Sequence, residues 1–174
     1  QGFFQNNTAV AEKMQQYVNN IISKYSLKRT KESTLLDLYS GVGTFGIINA
    51  DWFKKVILVE GFKPCAELAD KNMVENRCNN VDSLALDAKY IGRIKISFPI
   101  YVITDPPRSG MDEKTIIKLK ELNPEVIIYI SCNPKQLAKD LKKFKNYELK
   151  SAAIFDLFPQ TNHVEVVVGL EKRY

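Results

Sequence analysis

"TLLDLYSGVGTFG", residues 34–46, decides the architecture of this chain. An apolar run of strand formers leads straight into Gly41, Gly43 and Gly46, spaced G-x-G-x-x-G, and then into a short helical stretch. Glycines at such a strand-to-helix turn let the backbone double back tightly and approach a ligand closely. Outward from it the pattern repeats. A helix with Val10, Met14, Tyr17, Val18, Ile21, Ile22 and Tyr25 at helical spacing precedes it, starting at Asn7 or Thr8. "KVILVE" (55–60) predicts a second strand, 63–76 a helix, 82–86 a third strand and "IYVIT" (100–104) a fourth, ended by Pro106 and Pro107. A helix over 112–122, a fifth strand over 125–131 and a helix opened by Pro134 follow.

Strands rich in Val and Ile on both faces, alternating with helices, imply a parallel sheet covered on both sides. The rhythm then breaks. "YELKSAAIFDLF" (147–158) and "HVEVVVGLEK" (163–172) are strand-like runs joined only by "PQTN". So short a link cannot make a parallel crossover, so this pair must be antiparallel. The expected fold is α/β, a doubly wound, mostly parallel sheet with an antiparallel last strand.

The 174 residues suit one domain, 1–174, and the first residue, Gln1, suggests a domain cut from a longer protein. No apolar stretch is long enough to span a membrane, and no signal segment opens the chain. Cys65, Cys78 and Cys132 are too few and too widely spaced for a disulfide framework or a zinc site. They fit a reducing cytoplasm, although Cys65 and Cys78 could pair in a hyperthermophile. The net charge of +5 permits an anionic partner without demanding one. Eight of the lysines crowd residues 114–145, a solvated helical face on charge alone.

Glu60 closes the second strand nineteen positions after Gly41, where a carboxylate can bind ribose hydroxyls. Asp37 and Asp105 lie at strand ends on the sheet's carboxyl edge, and Asp87 follows the third strand, placed to reach an adenine amino group. Each aspartate alone also reads as a cap or turn residue. Together, and with the reversed last strand, they favour S-adenosylmethionine over a dinucleotide. That cofactor carries a ribose and a cationic sulfonium but no phosphate.

"FFQNN" (3–7), "DLYSGVGTFG", "DPPRSG", "YISCNP" and "DLFPQTNHVE" occur in this order. Together they closely resemble the catalytic domain of the RNA (uracil-5-)-methyltransferases that act on tRNA and large-subunit rRNA. The resemblance runs from Gln1 to the C-terminus. It implies a Rossmann-like S-adenosylmethionine-dependent methyltransferase fold and methyl transfer to C5 of a uridine in RNA. It implies Cys132 as the thiol that attacks uracil and Glu165 as the base. Cofactor contacts map onto Gln5, Tyr39, Gly41, Gly43, Thr44, Glu60, Asp87 and Asp105. Full-length members also carry an N-terminal RNA-binding domain, often an iron–sulfur cluster, and an inserted RNA-binding region, none of them in this chain. RNA is thus the expected partner, with those missing parts needed for full activity.

The chemistry also asks for a cysteine on independent grounds. C5 of uracil is a poor nucleophile, and a thiolate added at C6 makes it reactive, so one hard step becomes several easier ones. Asn133 can cap the helix that Pro134 opens, and a helix N-terminus is expected to lower the Cys132 pKa. Glu165 stands between Val164 and Val166 and should face away from them. His163 is expected to be a structural hydrogen-bonder. Arg108 could hold a phosphate, polarise a uracil carbonyl or form a salt bridge. Three rivals remain: an RNA cytosine-5 methyltransferase, an amino-methylating enzyme and a non-catalytic nucleotide- or RNA-binding module. The first places its cysteine where Arg108 stands, and the second has an aromatic there.

Overall fold

The computed structural model describes residues 8–157 and 164–174, the side chains of 25–30 excepted. Helix α1 (Thr8–Arg29) buries Ala11, Met14, Val18, Ile21 and Ile22, a stripe at the spacing of one helical face. The chain then runs through β1 (Thr34–Leu38), α2 (Thr44–Ile48), β2 (Lys55–Glu60), α3 (Lys63–Glu75) and β3 (Val81–Ala85). A 3-10 turn (Ala88–Arg93), β4 (Ile100–Thr104), α4 (Glu113–Leu122), β5 (Val126–Ser131) and α5 (Pro134–Leu141) follow. Strands β6 (Tyr147–Phe155) and β7 (Glu165–Lys172) complete it.

The seven strands form one sheet in the order β3-β2-β1-β4-β5-β7-β6. The first five are mutually parallel, and β7 lies antiparallel between β5 and β6. Strands β1, β4 and β5 are buried at every position, as their mostly apolar runs require, with Asp37 the one carboxylate buried among them. Alternate residues feed two cores. Leu35, Tyr101, Ile103 and Ile128 pack with α1 and α3, whereas Leu36, Val102, Ile127 and Tyr129 pack with α4 and α5. Each fully buried aliphatic side chain there stabilises the fold by about 1.5–3 kcal/mol.

Chain order reverses between β1 and β4, the switch point at which ligands of open α/β sheets bind beyond the strands' carboxyl ends. Several element ends differ from the sequence pattern by one to three residues, those of β6 and β3 among them. Strand β6 stops at Phe155 rather than 158, because the chain bends there and buries Leu157 beside α1. Strand β3 starts one residue early and buries only Val81 fully, as suits a sheet edge.

Candidate active site

Four loops meet at the carboxyl edge, and the register fixes what each presents. Leu38 of β1 faces Thr104 of β4, and the Asp105 amide donates to the Leu38 carbonyl at 3.3 Å. Cys132 follows Ser131, the last residue of β5, which faces Val166 of β7. Because β7 runs backwards, its first residue arrives at the edge where the parallel strands end. That residue is Glu165. Its neighbours Val164 and Val166 pack on the α4–α5 side and Val167 on the α1 side, so the alternation expected for Glu165 is realised. Among the described residues no lysine pairs with Glu165.

The glycine turn is built around two carboxylates. Glu60 accepts from the Gly41 amide at 2.9 Å and the Phe62 amide at 2.7 Å, which leaves lone pairs on both oxygens for hydroxyl donors. Asp37, 1% exposed, accepts from the Gly46 amide at 2.8 Å. Gly41 and Gly43 have φ of 55° and 85°, conformations in which a side chain is strained. A Cβ on Gly41 would meet nothing within 4 Å, so the turn opens onto free space, whereas one on Gly43 would strike Leu58 at 2.8 Å. Asn72 of α3 steadies the turn by donating to the Val42 carbonyl at 2.9 Å. Beside it a cleft of about 380 Å³ runs between Tyr39, Asp87, Pro107, Gly110 and Met111. Asp87 caps the 3-10 turn through the Lys89 amide at 3.0 Å and pairs with the Lys89 ammonium at 2.8 Å. Both of its oxygens are thus engaged, the capping alternative open to it in sequence, and it still borders the cleft.

Electrostatics set the character of the site. Burial pushes Asp37 up to about 7, against the pull of the Gly46 amide and with the help of Glu60. Asp105 keeps solvent exposure yet is surrounded by protein, and that crowding, then Glu165 and Asp37, raises it to about 8. Burial brings Glu165 to about 7. The three carboxyls therefore hold protons more tightly than free ones, and charging them together favours a cation between them. The Cys132 thiol also lies above its ordinary value, through burial and then Glu165 and Asp105, with Arg108 opposing. This corrects the expectation of a lowered thiol. Helix α5 does begin there, with Asn133 accepting from the Gln136 amide at 3.2 Å, but burial of the thiol and then the neighbouring acids raise it all the same.

Asp37, Asp105, Cys132, Glu165 and Arg108 are thus brought together, with Tyr39, Gly41, Gly43, Thr44 and Glu60 along one rim. Arg108 is exposed and makes no ion pair among the described residues; its carbonyl accepts from the Asn133 side chain at 2.9 Å. Gln5 and His163 lie outside the described residues. Cys65 and Cys78 are free thiols. Ser40 and Thr104 bury hydroxyls with no hydrogen-bond partner among the described residues, at the ends of β1 and β4. The free space over Gly41, the lone pairs of Glu60 and the carboxyls ready for a cation fit a nucleoside that carries a sulfonium. Sequence patterns missed Asn133 as a tie to the Arg108 loop, and Asp140. The second had a signal: an acid three residues after Leu137, on the apolar face of α5.

The family model for tRNA (uracil-5-)-methyltransferase matches residues 1–95 and 94–173. This chain belongs to that family. It is 38% identical over 168 residues to a tRNA (uracil(54)-C(5))-methyltransferase of Pyrococcus horikoshii, covering 97% of this chain and 38% of the relative. It is 36% identical over 178 residues to a 23S rRNA (uracil(747)-C(5))-methyltransferase of Shewanella baltica, covering 98% and 43%. The crystal structure of the Pyrococcus abyssi tRNA (uracil-54, C5)-methyltransferase with S-adenosyl-L-homocysteine superposes with a TM-score of 0.72 at 32% identity, over 97% of this chain and 40% of that one. A Streptococcus thermophilus rRNA methylase shares the fold alone, at 13% identity and a TM-score of 0.71. The chain spans a little over a third of the length of the first curated relatives it matches.

Proposed function

We propose that residues 1–174 form the S-adenosylmethionine-dependent catalytic domain of an RNA (uracil-5-)-methyltransferase that works through a covalent cysteine adduct. The observation that carries the reading is the reversed β7, which delivers Glu165 to the end of β5 where Cys132 stands, beside Asp105. Family membership supports the base and the atom methylated. The cofactor supplies an electrophilic methyl on a cationic sulfur. Glu60 would bind its ribose, Tyr39, Gly41, Gly43, Thr44 and Asp87 would flank its nucleoside, and Asp37 and Asp105 would face its charge. The same role extends to Gln5 by resemblance.

Each residue then has one task. The Cys132 thiolate adds to C6 of uracil and drives the electron pair toward C5 and the O4 oxygen. Arg108 would supply the charge that stabilises that oxygen. A cation against Asp105 and Glu165 offsets the negative charge that holds the thiol up, so thiolate forms more readily when the site is loaded. After C5 has taken the methyl group, Glu165 removes the C5 proton. The C5–H electrons restore the C5=C6 bond and expel the Cys132 thiolate. A base titrating near 7 suits that step at neutral pH.

The partner under this reading is structured RNA, whose target base must leave its stack at a cost of about a few kcal/mol. The rest of the protein, an N-terminal RNA-binding domain among it, is then needed for full turnover in the cytoplasm. Among the described residues no helix is long and apolar enough to cross a membrane. The test uses full-length protein and RNA bearing 5-fluorouracil, whose fluorine cannot leave as a proton. A denaturant-resistant adduct should map to Cys132 and vanish in Cys132→Ala. An adduct at Cys65 or Cys78, or none from an active enzyme, refutes the nucleophile.

A further inference from the structure

We propose that Asp140 is a positioning residue that locks the loop carrying Asp105 and Arg108 onto the helix that begins beside Cys132. The inference deepens the function proposed above and rests on it for its catalytic meaning. Asp140 sits on the last turn of α5, fully buried, seven residues from the cap Asn133. A carboxylate in an apolar core costs several kcal/mol unless donors surround it. Here they do, from three directions. Oδ2 accepts from the Met111 amide at 3.2 Å and from the Tyr129 hydroxyl of β5 at 2.7 Å. Oδ1 accepts from the Gln136 amide group at 3.0 Å, with the Lys143 ammonium at 3.9 Å. The Tyr129 hydroxyl is held far above its ordinary range by burial and by Asp140, so it stays a donor.

Met111 ends the segment that starts at Asp105. Just before it, Gly110 has φ of 81° and lies so close to Asp140 that a Cβ there would collide with the carboxylate. The far end of the loop is pinned by Asn133, which donates to the Arg108 carbonyl at 2.9 Å. Thus one short helix grips the loop twice, at its N-cap and at Asp140, and the same helix begins two residues after Cys132. The spacing of Arg108 from Cys132 therefore depends on Asp140, which touches neither. A misplacement of about 1 Å in such a constellation can cost about 100-fold in rate.

The test reads the titration of Cys132, which needs no RNA. Iodoacetamide alkylation is followed against pH by mass spectrometry of the Cys132 peptide, in the chain and in four variants. Asp140→Ala frees the loop, and Gly110→Ala drives a Cβ against Asp140 and Gln136 and so pushes the loop off α5. Both should slow alkylation at neutral pH by about threefold or more and move the midpoint upward, because the opposing charge of Arg108 recedes. Asp140→Asn keeps one oxygen for Met111 and Tyr129 and should restore the wild-type profile. Tyr129→Phe removes a donor but not the loop contact and should match wild type. If Asp140→Ala does not fold, Gly110→Ala decides. An unshifted profile in Gly110→Ala, or an equal shift in Tyr129→Phe, overturns the proposal. In full-length protein the two loop variants should lower kcat for methyl transfer about 10- to 100-fold with RNA KM nearly unchanged. Wild-type protein that makes no 5-methyluridine refutes the function proposed above and leaves the alkylation result to stand or fall alone.

Discussion

Glu165 is half-buried at the start of β7, with no cation beside it among the described residues and burial alone raising it to about 7. If it removes only the C5 proton, Glu165→Gln permits thiolate attack and methyl transfer but blocks elimination. That variant should accumulate RNA joined to Cys132 and labelled by the cofactor's methyl group, with free 5-methyluridine reduced about 100-fold or more. Normal turnover would exclude Glu165 as the base, and inactivity without adduct would give it an earlier role. Asp37 has a separate consequence. The folded chain keeps a proton on it up to about pH 7, whereas the unfolded chain releases that proton near pH 4. The stability it contributes is complete below about pH 4 and is lost as pH rises through about 7, at most about 1.4 kcal/mol per pH unit. Urea midpoints should therefore fall from pH 5 to pH 8 in the chain without cofactor and fall less in Asp37→Asn. An identical decline in both would place the titration elsewhere.

Helix α5 shows how one element can join two loops. Asn133 caps it with its side-chain oxygen and holds Arg108 with its side-chain nitrogen. Asn133→Ala loses both and should cost about 1–3 kcal/mol in urea unfolding. Asn133→Ser keeps a capping oxygen and should recover about 1 kcal/mol of that, while the Arg108 tie stays broken. Equal losses in the two variants would mean the cap contributes nothing. The cap was legible in "SCNP" because an Asn-Pro pair has a local preference for a helix start. Strands β1, β2, β4 and β5 were legible because burial on both faces leaves mostly apolar runs. The tie to Arg108 was not, since it joins residues 25 apart and depends on how two loops meet. The thiol's direction was misjudged for a related reason: the dipole of α5 is local, but the burial of Cys132 and the approach of Glu165 and Asp105 arise only once the sheet is assembled.

At the scale of the molecule the lysines of 114–145 acquire a shape. A groove of about 470 Å³ runs along α4, from Glu113 past Ile116 and Lys120 to Asn123, against residues 142–147. Lys118 and Lys143 are neutralised by Glu121 and Glu113 at 2.5 and 2.6 Å. Lys120, Lys142 and Lys145 are exposed, line the groove and form no ion pair among the described residues. Helix α4 starts just past the loop of Asp105 and Arg108 and ends near the opposite edge of the sheet, so the groove leads away from the site. A single-stranded or duplex arm of RNA whose base occupies the site could lay its phosphates there. Each phosphate neutralised contributes about 0.7–0.9 to the slope of log K against log salt. Replacing Lys120, Lys142 and Lys145 together by Gln should make the slope for RNA binding by the full-length protein shallower by about two. The affinities of variant and wild type should converge at high salt, with thermal stability unchanged because these charges are solvated. An unaltered slope would show that RNA approaches by another face.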